Sequence, residues 1–71
     1  MEFDYAKLKG KIVEVFGSRI EFAKHIGMSK TTVSHKLSGK RCWTQPEMAR
    51  VAMALHIDTA EIPEYFFKQK V

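Results

Sequence analysis

Residues 18–39, SRIEFAKHIGMSKTTVSHKLSG, hold two helix openings and two helix stops. Ser18 precedes Glu21 by three positions, the spacing of a capping box. The hydroxyl of Ser18 accepts from the Glu21 backbone N–H, and the Glu21 side chain reaches back. The helix that follows runs to about Ile26 and offers Ile20, Phe22, Ala23 and Ile26 to a core. Gly27 supplies the left-handed conformation that turns the chain. Met28 returns to the core. Ser29 then caps a third helix, which reaches Leu37 or Ser38 and stops at Gly39.

The face of that third helix carries the functional signal. At about 100° per residue, Val33 and Leu37 fall on one edge and point inward. The opposite edge carries Thr31 and His35, flanked by Thr32, Ser34 and Ser38. All are short or hydrogen-bonding, and none is acidic. Lys30 lies nearer the side, but its length lets it reach past the helix end. A helix presented N-terminus first also offers its dipole and free N–H groups to phosphate. Such a face suits the DNA major groove.

Working outward, Tyr5, Leu8, Ile12, Val15 and Phe16 recur at helical spacing. They predict a first helix from Phe3 or Asp4 to Phe16, with Gly17 as its stop. Gly10 lies inside it and costs it about 1 kcal/mol against Ala. Residues 40–43 form a loop. Thr44 with Glu47 opens a fourth helix by a second capping box, and Trp43 with Met48 forms a hydrophobic staple. Pro46 sits in the first turn, where its missing N–H is harmless. Met48, Val51, Ala52 and Leu55 form its apolar stripe. Asp58 with Glu61, and Ile57 with Ile62, repeat box and staple. Pro63 interrupts this fifth helix or restarts it one turn later. The expected fold class is all-α, a compact bundle of four to five short helices in one domain over 1–71.

Composition bounds the rest. A 71-residue chain supports one small core, and 45% hydrophobic residues suit a folded chain. No run approaches the roughly 18 apolar residues of a membrane span, and the start lacks a signal-peptide core. A single cysteine, Cys42, forbids an internal disulfide and agrees with a reducing cytoplasm. The net charge of +4 favours polyanionic partners. Between positions 22 and 46 lie Lys24, Lys30, Lys36, Lys40 and Arg41, with no Asp or Glu. Such a run is commonly only a solvated face, but its coincidence with the helix pair favours nucleic acid.

The chain resembles the Cro/CI-type (Xre) helix-turn-helix regulators of bacteria and phages. The resemblance rests on Ala23, Gly27, Met28, Ser29, Val33 and Gly39, in the spacing A-x3-G-x5-V with a serine cap and a Gly-Lys after the pair. The ending EIPEYFF resembles small phage and prophage Cro-like regulators. The resemblance implies a lambda-repressor-like DNA-binding domain with its helix-turn-helix at 18–38. It assigns base reading to Lys30, Thr31 and His35, with Thr32 and Ser34 beside them. Phosphate contacts fall to Arg19, Ser29, Ser38, Lys40 and Arg41. Two positions depart from the pattern. Arg19 stands where the family often has Gln, and Lys36 where an apolar residue is usual. Leu37 is expected to take over the packing of position 36, with a slight rotation of the helix.

Other chemistries have little support. Cys42, His25, His35 and His56 show no zinc-ligand spacing, so no metal or cofactor is expected. Cys42 reads as loop and core packing, and His25 and His56 as surface or helix-end residues. No nucleophile elbow, phosphate loop or paired-carboxylate motif points to an enzyme. Tyr65, Phe66, Phe67 and Val71 either close the core or form a dimer surface. The expected partner is a near-palindromic double-stranded DNA operator, bound by a homodimer in the bacterial cytoplasm at the nucleoid. No small-molecule ligand and no membrane is expected. The runner-up is a protein-interaction module on the same fold, an antitoxin-like or anti-repressor partner.

Overall fold

The computed structural model describes residues 3–69. Among them the chain forms five helices and no strand: α1 (Ala6–Phe16), α2 (Arg19–Ile26), α3 (Lys30–Leu37), α4 (Gln45–Ala54) and α5 (Ile62–Phe66). A single 3-10 turn, Thr59–Glu61, leads into α5. Pro63 occupies the first turn of α5, so the fifth helix restarts after the 3-10 turn.

One core joins all five helices. Leu8 and Ile12 of α1, Phe22 and Ile26 of α2, Val33 and Leu37 of α3, and Val51 of α4 are buried in it. Tyr65 and Phe66 close it from α5, and the Trp43 ring meets Phe66 edge-on at 5.5 Å. Each such side chain contributes about 1.5–3 kcal/mol on leaving water. Phe67 stays 46% exposed and meets the Phe3 ring edge-on at 5.9 Å. Val71 lies outside the described residues.

Several local expectations need correction. The first helix starts at Ala6, not Phe3 or Asp4. The Asp4 N–H donates to the Lys68 carbonyl at 2.7 Å, and Phe3 bridges Gln69, which holds this segment against the far end of the chain. Asp4 Oδ1 then accepts from the Ala6 N–H just ahead of the helix. Ile20 is 45% exposed because, as the second residue of α2, it lies about 110° from the Phe22–Ile26 face. Val15 is also exposed. The last turn of α1 runs past the core, and only Phe16 folds back, onto Phe22 at 5.6 Å.

The capping boxes differ in completeness. Thr44 and Glu47 make both reciprocal bonds. Ser18 accepts from Glu21 N–H at 3.3 Å, but the Glu21 carboxylate turns to Lys24, 3.7 Å away. Asp58 accepts from Ala60 rather than Glu61, because the tighter 3-10 turn brings that N–H into reach. Cys42 is exposed in the loop, while its neighbour Trp43 is buried.

Candidate nucleic-acid interface

The chain between α2 and α3 is held by a Schellman turn. Met28 N–H donates to the Ala23 carbonyl at 2.9 Å, and Gly27 N–H donates to the Lys24 carbonyl at 3.4 Å. Gly27 has φ +75, and a Cβ there would meet nothing within 4 Å. Glycine is therefore required by conformation rather than by space. Met28 is half-buried against the core, the apolar contact that accompanies this turn. The end of α3 repeats the device. Lys40 and Gly39 N–H donate to the His35 and Lys36 carbonyls at 2.9 and 3.3 Å.

Ser29 Oγ accepts from Thr32 N–H at 3.1 Å and donates to Thr32 Oγ1 at 2.8 Å. The cap thus ties down the two hydroxyls. It leaves the N–H groups of Lys30 and Thr31 as the free donors at the start of α3. Ser38 Oγ donates to the His35 carbonyl at 3.0 Å, so a phosphate contact by its proton requires that bond to open.

Val33, Lys36 and Leu37 are the buried residues of α3. The opposite edge at 100° per residue is Thr31, His35 and Ser38, with Ser34 flanking. Thr31 and Ser38 are exposed, and Thr32, Ser34 and His35 are half-buried. Lys30, Lys40 and Arg41 are exposed at the two ends of α3, and Arg19 is exposed at the start of α2. Among the described residues these four cations have no carboxylate partner, whereas Lys24 and Lys36 do.

Lys36 is the main correction at this site. It belongs to the interior, 6% exposed, and so leaves the basic surface. Its Nζ donates to Glu47 Oε1 at 2.7 Å and to the Cys42 carbonyl at 2.9 Å. The ammonium also lies 5.6 Å from the centre of the Trp43 ring. Leu37 does not replace it, since both residues are buried side by side. The lysine stem fills the apolar position, and Glu47 neutralises its head. Burial alone would raise the Glu47 carboxyl. Hydrogen bonds from Lys36 and Thr44 and the charge of Lys36 outweigh it, and hold the carboxyl below its ordinary value of 4.5.

Arg50 was not indicated by any sequence pattern. Its Nη1 donates to the Ile26 carbonyl at 3.0 Å, the last residue of α2. Both tertiary partners come from α4, and neither periodicity nor spacing encodes such a pairing. A surface groove of about 460 Å³ lies elsewhere and is lined by Lys7, Pro63, Glu64 and Lys68.

The family described as protein of unknown function (DUF739) matches residues 1–69. The chain belongs to that family. Its structure is similar to the solution structure of the modulator of repression (MOR) of the temperate bacteriophage TP901-1 from Lactococcus lactis. The TM-score is 0.84 at 41% identity, covering 100% of this chain and 96% of that chain. No curated protein matches the chain. Identity at this level over the full length means that the helix order and the α2–α3 arrangement are shared with MOR.

Proposed function

We propose that the chain is a sequence-specific double-stranded-DNA-binding regulator of the Cro/CI type, a phage or prophage repressor acting as a single domain over 1–71. In this reading α3, with Ser38, enters the major groove. Lys30, Thr31 and His35 read base edges with Thr32 and Ser34 beside them. Arg19, Ser29, Ser38, Lys40 and Arg41 hold phosphates. One observation carries the reading: an acid-free, hydrogen-bonding face on α3 is bracketed by four cations that no carboxylate neutralises. Phosphate attraction supplies affinity, and short polar side chains read the base edges.

The operator is near-palindromic and is bound by two copies, because one module reads one half-site. Selection of sites from a random duplex pool tests this. Recovery of a two-fold sequence supports it. Absence of any duplex binding at low salt overturns it.

A second reading has its own support in the name of the 41% identical relative. A modulator of repression can act on a repressor protein instead of on an operator. Here the same exposed α3 face meets protein, as an anti-repressor partner would. A chain that binds no duplex yet forms a stoichiometric complex with a phage repressor favours this alternative.

A further inference from the structure

Helix α3 has α2 as its principal backbone neighbour, while α4 lies against α2 and α5. What joins α3 to α4 is chiefly side-chain chemistry. Glu47 and Arg50 stand three residues apart on α4, hence on one face of it. Glu47 holds Lys36 of α3 at 2.7 Å, and Arg50 holds the Ile26 carbonyl of α2 at 3.0 Å. We infer that α4 is a two-point clamp that sets the angle between α2 and α3, with Glu47 and Arg50 as positioning residues for the α3 surface.

Four observations support the clamp. The Lys36–Glu47 pair is largely withdrawn from water, with side-chain exposures of 7% and 20%, so water competes for it weakly. Glu47 Oε1 also accepts from the Thr44 N–H at 2.9 Å, which fixes the carboxylate to the helix end. The second bond of Lys36, to the Cys42 carbonyl, ties the loop carrying Lys40 and Arg41 to the same point. Arg50 meanwhile takes a carbonyl that the end of α2 would otherwise leave without an intrahelical donor. A change at either grip thus alters how α3 and its following loop are presented, though neither α4 residue belongs to the exposed α3 face.

The consequence for base discrimination rests on the DNA-binding reading, whereas the clamp itself does not. Glu47→Gln and Arg50→Met in the full chain test both. Amide exchange in α3, at Val33 and Leu37, is expected to quicken about tenfold more than in α1, at Leu8 and Ile12. On duplexes, the preference for a selected site over a scrambled one is expected to fall about tenfold in both, with the salt slope of Arg50→Met unchanged. Equal quickening in α1 and α3 overturns the clamp, because it reports global stability alone. If one variant does not fold, the other decides by the same comparison. If the unaltered protein distinguishes no duplexes, the DNA reading fails, and the exchange ratio still decides the clamp.

Discussion

Lys36 and Lys30 show how one residue type takes opposite roles six positions apart. Lys36 faces the core and meets a carboxylate, while Lys30 is exposed with no carboxylate partner. Lys30→Ala is expected to relax base preference at one operator position, by about 1–3 kcal/mol, in a binding-site profile. Lys40→Ala should instead weaken all sequences alike. If both variants shift the profile identically, reader and phosphate contact are wrongly assigned. The buried pair also makes a pH prediction. Because the Glu47 carboxyl is held below 4.5, its charged form stabilises the fold fully above that value. The contribution is lost as pH falls through the depressed pKa. Urea midpoints measured down this range should therefore drop more steeply in the natural protein than in Glu47→Gln. Glu64 is depressed as well, by its hydrogen bond from Lys7. That pair is exposed, so added salt screens it while the Glu47 component persists.

At the scale of the element, α2, α3 and α4 end in the same way. In each, a residue one or two positions past the helix takes positive φ and the next N–H donates back to a carbonyl in the last turn. Gly27 and Gly39 fill this position after α2 and α3, but His56, φ 57, fills it after α4, where Ile57 N–H donates to the Ala52 carbonyl at 2.8 Å. His56→Gly is expected to raise stability by about 1 kcal/mol, and Gly27→Ala to lower it by about the same amount, in urea denaturation. A null result at both positions would remove backbone conformation as the reason for glycine here. Helix ends were the most legible feature of the sequence because glycine, serine and proline act through local backbone chemistry. The turn at Gly27, the cap at Ser29 and the box at Thr44 all stand as read. What local pattern could not supply is tertiary. The extended start at Phe3 depends on residues 68–69, which no local pattern near Phe3 announces. Lys36 was legible as an anomaly but not as half of a pair, because Glu47 already had a sufficient local role in its cap. Arg50 gave no signal, since a long cation on a polar helix face is ordinary.

For the molecule as a whole, size and charge together fix what binding must look like on the DNA-binding reading. The longest extent is 30 Å, shorter than the roughly 34 Å between successive major-groove faces on one side of DNA. On that reading a single copy places one α3 helix in one half-site, and a second copy supplies the other. Charge gives this a measurable form. Arg19, Lys30, Lys40 and Arg41 are the cations of α2, α3 and the loop after them without a carboxylate partner among the described residues. If Arg19, Lys40 and Arg41, the three assigned to phosphate, each neutralise one, log K against log salt should slope at about −2.7 on a half-site and about −5.4 on a full near-palindrome. Lys40→Ala should reduce the magnitude by about one on the half-site and about two on the full site. Lys36→Met should leave both slopes unchanged, because its charge is already neutralised by Glu47. Fluorescence anisotropy across a salt series on the two duplexes measures all of these. Equal slopes on half-site and full site would exclude two-copy binding. Slopes near zero on both would mean that the α3 face meets a partner other than DNA, which is the outcome the protein-interaction reading requires.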